Sequence, residues 1–180
     1  MKLTFKPVLL FICAFLLTIA TASAQSVAGY KTGIGLRAGN AAGLTVKHFI
    51  KNDAAIEGIL SSSFRRHGFN LTVLYEKHAR AFGHQNFTWF YGAGGHIGNY
   101  KGRYYYYGYR NPKDKHYDYY NDYYNDNFFV VGIDGIIGLE YYIREIPFTV
   151  GLDFKPAIEF AGSGSSHIYG DLALTLRYVF

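Results

Sequence analysis

Apolar and polar residues alternate along most of this chain with the period of a β-strand. Thr32, Ile34, Leu36 and Ala38 are interleaved with Gly33, Gly35 and Arg37; Leu44, Val46, His48 and Ile50 with Thr45, Lys47 and Phe49. Ile56, Gly58 and Leu60 repeat the pattern more weakly around Glu57 and Ile59, and Leu71, Val73 and Tyr75 flank Thr72 and Leu74 ahead of Glu76. Longer runs follow from Phe87 to Ile97, around His96, and from Phe129 to Tyr141, around Asp134 and Glu140. Phe148 to Lys155 and Asp171 to Phe180 complete the set. A period of two over such lengths predicts strands that separate two environments. Eight of them predict an all-β fold, an eight-stranded antiparallel up-and-down barrel, because closure leaves no unpaired edge.

The charges say which environment is which. One face carries Arg37, Lys47, Lys155 and Arg177 together with Glu57, Glu76, Asp134, Glu140, Asp153 and Asp171, and His96 shares it. Buried charges at this density must pair, and a polar network filling a narrow lumen lets them. The opposite face is Leu, Ile, Val and Phe without an acidic residue, as lipid requires. With a periplasmic start, Tyr75, Phe87, Trp89, Tyr141, Phe148, Tyr178 and Phe180 are expected near one rim, where aromatic girdles lie. Connections on that side are short, from Lys51 to Ala54, about Ala79 to Asn86, and Arg144 to Pro147. The other side has two short turns, Gly39–Ala42 and Arg65–Phe69, and two long loops, Tyr100–Asn127 and Ala157–Gly170. The expectation is therefore a transmembrane barrel. Phe49, Phe90, Leu74 and Ile136 on the inner face, with the ionic network, are expected to plug it.

The start of the chain points to export. Lys2 and Lys6 precede an apolar run from Val8 to Leu17, followed by Ala22-Ser23-Ala24, the pattern of a secretory signal peptide. Residues 1–24 are expected to be cleaved through the general secretory pathway, leaving 25–180 as one barrel domain. The single cysteine, Cys13, leaves with the leader, so disulfides and thiolate chemistry are excluded from the mature chain. Removing two lysines lowers Lys+Arg from 18 to 16 against 13 acidic residues, so the net charge falls from +5 to +3. That is too mild to argue for nucleic acid.

The final strand, with Leu172, Leu174, Leu176 and Tyr178 ahead of a terminal Phe180, resembles the terminal signal by which bacterial outer-membrane barrels are assembled. Tyr75-Glu76, Trp89 to Ile97, Gly135 to Tyr141 and Asp153 to Pro156 widen the likeness. The chain resembles the small eight-stranded barrels typified by OmpX and the OmpA transmembrane domain, and the short outer-membrane barrels of Bacteroidetes-type bacteria. The resemblance implies an integral outer-membrane protein; a monomer without a cofactor is expected, and, unlike full-length OmpA-type proteins, no peptidoglycan-binding domain is expected after the barrel. It implies outer-membrane lipid, lipopolysaccharide and the barrel-assembly machinery as partners.

One segment departs from the pattern. Eleven of the 18 tyrosines lie between Tyr100 and Asn127, and Asp118-Tyr-Tyr-Asn121 repeats at once as Asp122 to Asn125. Tyr104, Tyr105, Tyr106, Tyr107, Tyr109, Tyr117, Tyr119, Tyr120, Tyr123 and Tyr124 form a candidate recognition surface for a glycan or protein, since Tyr offers rigid amphipathic contact. The alternative is a low-complexity hydrated tip. Asp114, Asp118, Asp122 and Asp126 recur every fourth residue but lack the glycine and glutamate of a calcium loop, and read as solvated charges. No metal ligand and no catalytic residue is assigned. Ser165, Ser166 and His167 with Glu159 upstream leave one enzymatic alternative, acyl transfer on lipid A with His as base. His96 reads as interior packing beside Glu140 or Asp134.

Overall fold

The computed structural model describes residues 26–63, 68–101, 127–161 and 166–180. Eight antiparallel strands close into one barrel in chain order: β1 (Thr32–Ala38), β2 (Ala41–Lys51), β3 (Ala54–Ser63), β4 (Gly68–Arg80), β5 (Phe87–Lys101), β6 (Asn127–Ile143), β7 (Phe148–Ala161) and β8 (Ser166–Val179). The expected leader, 1–24, and the ten tyrosines between 104 and 124 lie outside the described residues.

Closure is made by β1 and β8, in register from Gly33–Val179 to Ala38–Leu174. The backbone of Phe180 completes the seam: its N–H donates to Thr32 O at 2.9 Å, and its carbonyl accepts from Thr32 N–H at 2.8 Å. Over that register the two closing strands cover each other's edges, which removes the usual template for aggregation.

The period of two decides every wall. In β8, Asp171, Ala173, Thr175, Arg177 and Val179 are buried inside, while Leu172, Leu174, Leu176 and Tyr178 are exposed outside. The same division holds through β2, β4 and β7. The interior is tight. A Cβ on Gly132 would collide with His96 Cε1, and one on Gly138 would lie 2.5 Å from Phe90 Cζ. Gly132 and Gly138 are the register partners of His96 and Phe90 on the adjacent strand β6, and the absence of a side chain there leaves room for the two rings.

One stretch differs from expectation. Instead of a loop from Ala157 to Gly170, β7 continues to Ala161 and β8 begins at Ser166. Pro156 lacks the N–H a ladder needs, and the β6–β7 pairing skips it, running Asp134–Ala157 and then Ile137–Phe154. Gly135 stands across from the ring, where a Cβ would come within 3.3 Å of Pro156 Cγ. A glycine partner thus accommodates the proline, and inward Ala157 and Glu159 continue the alternation with outward Ile158 and Phe160. The long loop is also trimmed at its base, because Tyr100, Lys101 and Asn127 belong to strands.

The rim that holds Ser26 and Phe180 is capped from within. Ser26, Ala28 and Tyr30 are buried, and Val27 N–H donates to Asn52 O at 2.8 Å. Tyr30 meets Phe49 edge-on at 5.2 Å and packs with Ala28, Ala55 and Val179 beneath the ionic core. The turn from β4 to β5 tightens through two left-handed residues, Phe82 at φ 55° and Gly83 at φ 68°. Gly83 adopts that region freely; Phe82 does not.

Candidate functional site in the barrel lumen

The inward side chains form three groups. Nearest the terminal rim, Arg177 of β8 donates through Nη2 to Glu57 Oε1 at 2.5 Å and through Nη1 to Glu140 Oε2 at 2.8 Å. Glu57 also accepts from the Thr45 hydroxyl and faces Lys47 Nζ at 3.0 Å. Lys47 reaches Glu76 at 2.8 Å and lies 4.0 Å from the centre of the Phe90 ring. His78 stacks on that ring at 5.1 Å and brings Nε2 to 3.0 Å from Glu76.

Two further groups lie toward the opposite rim. Arg37 bridges Asp153 at 2.6 Å and Asp171 at 2.5 Å, and Asp171 also accepts the Asn40 backbone N–H at 2.8 Å. His96 places Nδ1 2.6 Å from Asp134 and Nε2 3.2 Å from Glu159, and Lys155 donates to Asp134 at 2.5 Å. Between the groups Ile59, Leu74, Phe90 and Ile136 make an apolar plug.

The ten inner residues expected from alternation are all buried, and all engage in these groups: Arg37, Lys47, Glu57, Glu76, His96, Asp134, Glu140, Asp153, Lys155 and Arg177. Glu140 pairs with Arg177 and Tyr30, leaving Asp134 and Glu159 to His96. Tyr30, His78 and Glu159 were not expected there. Tyr30 precedes the first strand, so no alternation marks it. His78 extends a strand read only as far as Glu76, and Glu159 lies beyond Pro156.

Charge counting constrains the chemistry. Among the described buried residues, seven carboxylates (Glu57, Glu76, Asp134, Glu140, Asp153, Glu159 and Asp171) face four Lys or Arg side chains (Arg37, Lys47, Lys155 and Arg177), an excess of three. Such an excess is costly unless protons are taken up. Both nitrogens of His96 face carboxylates, whereas a neutral imidazole has one N–H. An imidazolium satisfies both contacts, and so does one protonated carboxyl; either way the group holds an extra proton. Outside the walls, the exposed Asp53 accepts a 2.8 Å hydrogen bond from Lys77 Nζ, which holds its carboxyl below the ordinary range.

The outer-rim residues weighed for acyl transfer are divided between two faces. His167 pairs in register with Glu159 on the inward face, whereas Ser166 is exposed on the other face of the same strand. Ser165 lies outside the described residues. The candidate assembly residues Leu172, Leu174, Leu176, Tyr178 and Phe180 form one exposed apolar row beside the closing seam.

No protein-family model and no curated protein matches the chain.

Proposed function

We propose that this protein is an integral outer-membrane β-barrel with a sealed lumen, which holds a tyrosine-rich loop outside the cell for structural support or surface recognition. The observation that carries the reading is the inversion of the barrel. Eleven Lys, Arg, Asp and Glu side chains are buried inside, seven acidic and four basic, while 32 large apolar side chains are exposed among the described residues. A barrel in water would expose apolar area far beyond the patches that monomeric soluble proteins tolerate; a barrel in lipid needs that surface.

Further support comes from the terminal rim, where Phe87 meets Tyr141 at 4.6 Å, Phe148 meets Tyr178 at 5.6 Å, and Tyr178 meets Phe180 at 6.1 Å. A belt of such rings suits a membrane interface. The packed ionic interior argues for a scaffold rather than a diffusion pore. β5 ends at Lys101 and β6 begins at its register partner Asn127, on the rim opposite Phe180. With the terminal rim in the periplasm, residues 102–126 emerge outside the cell.

The test is fractionation of a Gram-negative host expressing the full chain, followed by deletion of Gly102–Asp126. The full chain is expected in the outer membrane, resistant to carbonate extraction and with heat-modifiable mobility. The deletion is expected to keep both properties and lose binding to intact cells or arrayed glycans. Recovery of the full chain as a soluble periplasmic protein would refute the membrane reading. Unchanged binding after the deletion would refute the recognition role alone.

A further inference from the structure

The terminal rim carries an arrangement that the scaffold does not require. The β4–β5 turn is tied to the end of β6 and to the β6–β7 turn: Tyr142 N–H of β6 donates to Asn86 O at 2.9 Å, and Arg144 Nη2 donates to Gln85 Oε1 at 2.7 Å. Between them lies an open cleft of about 290 Å³ lined by His84, Gln85, Asn86, Phe87, Tyr141 and Arg144.

The lining combines polar side chains, His84, Gln85, Asn86 and Arg144, with two aromatic ones, Phe87 and Tyr141. Arg144 is exposed and forms no ion pair among the described residues, so most of its five donors remain available. The Gln85 oxygen is occupied by Arg144, which turns the amide NH2 into a donor for whatever enters. His84 adds a ring nitrogen. Further rings pair beside these residues, and Trp89 and Tyr91 follow Phe87 on the outer face of β5. Phe82 meets Phe87 edge-on at 5.9 Å, Phe87 meets Tyr141 at 4.6 Å, and Trp89 stacks on Tyr91 at 5.2 Å. Phe82 and Gly83 are the central residues of the turn closed by His84 N–H donating to Ala81 O at 3.1 Å, and the left-handed conformation leaves the Phe82 ring exposed at this rim.

We propose that this cleft binds the phosphodiester headgroup of a membrane phospholipid. The phosphate would sit on Arg144 with Gln85 and His84 beside it, and the glycerol and upper acyl chain would lie along Phe87 and Tyr141. Planar, forked guanidinium donors suit phosphate oxygens, and aromatic rings suit the boundary just below the headgroup. The site rests on the membrane reading, because only a bilayer brings phosphate and acyl chain together at that height.

The experiment uses the full mature barrel in a neutral, phosphate-free detergent, with native mass spectrometry as the readout. Phosphatidylglycerol is titrated against diacylglycerol of the same chains and against inorganic phosphate, for the wild type, Arg144→Gln and Lys51→Gln. Lys51 ends β2 at the same rim but away from the cleft, so it reports diffuse attraction. Expected is one retained phosphatidylglycerol whose dissociation constant rises about tenfold in Arg144→Gln, as for loss of one charge-assisted contact, with Lys51→Gln unchanged. Diacylglycerol and inorganic phosphate are expected to bind weakly. Equal retention by Arg144→Gln, equal loss in Lys51→Gln, or comparable binding of diacylglycerol or inorganic phosphate would each overturn the site. Heat-modifiable mobility in each variant reports the fold. A barrel that inserts into bilayers but retains no phosphatidylglycerol refutes the cleft and leaves the membrane reading standing.

Discussion

The Tyr30 hydroxyl donates to Glu140 Oε1 across 2.7 Å, tying the segment ahead of β1 to strand β6, 110 residues further along. Glu140 accepts from Arg177 through its other oxygen, so the same carboxylate joins the cap to the ionic core. The terminal mouth is thus closed by the chain's own first described residues rather than by a loop.

That closure can be dissected at Tyr30. Tyr30→Phe keeps the ring against Phe49 and removes one buried hydrogen bond, so it is expected to cost about 1–2 kcal/mol. Tyr30→Ala also empties the space between Phe49, Ala28 and Val179, and is expected to cost roughly 3–5 kcal/mol. Urea unfolding of barrels refolded in lipid vesicles measures both. If Tyr30→Ala unfolds with the wild type, the cap contributes nothing and the plug reading of this segment is wrong.

Arg177 is the most connected cation in the lumen. Arg177→Met would leave Glu57 and Glu140 buried without their guanidinium, and breaking a buried pair from one side typically costs about 3–5 kcal/mol. Neutralising the orphan should restore part of the loss. Arg177→Met with Glu140→Gln is expected to be more stable than the sum of the single changes by about 0.5–3 kcal/mol. Strict additivity in the same urea assay would show that the two groups are not coupled.

Alternation made the walls legible, because a strand shows its two faces in the spacing of its residues. Leu172, Leu174 and Leu176 outside, with Thr175 and Arg177 inside, follow directly from period two. Partners were less legible. His96 could be paired with Glu140 or Asp134 on sequence alone, and which carboxylate reaches it depends on how far each strand is staggered around the barrel. Glu159 falls in the segment expected to be the Ala157–Gly170 loop, where it reads only as an acid upstream of His167; β7 instead continues through it to Ala161, with Pro156 accommodated across from Gly135. Tyr30 and the Arg144 cleft belong to segments without a repeat, where no spacing announces a contact between residues so distant in the chain.

Two glycines separate tight from open positions. Gly132→Ala places a Cβ against His96 and within 2.8 Å of Ile158 O, so His96 must leave Asp134 or Glu159. Overpacking of this kind is expected to cost about 1–3 kcal/mol. Gly58→Ala meets nothing within 4 Å on the outer face and should be neutral or slightly stabilising, since alanine narrows the unfolded ensemble. Heat-modifiable mobility across a temperature series ranks the two. Equal melting of both variants would contradict the packing described around His96.

The outer face supplies the sharpest prediction. Leu174 is 59 % exposed in the middle of β8, in register with Ala38 on one side and Leu152 on the other. In lipid, Leu174→Arg is expected to cost roughly 2–4 kcal/mol near the midplane. In water, a surface change of this type would stay within about 0.5 kcal/mol. Folding efficiency into vesicles, compared with folding in detergent-free buffer, distinguishes the two. Phe180→Ser isolates the other role of this strand. The hydrogen bonds of Phe180 to Thr32 are made by backbone, so serine keeps the seam intact while removing the exposed ring. Assembly in cells is then expected to fall although the purified variant unfolds at the wild-type urea concentration. Normal insertion of Phe180→Ser in cells would separate the terminal aromatic from assembly, leaving it only as part of the interfacial belt with Tyr178 and Phe148.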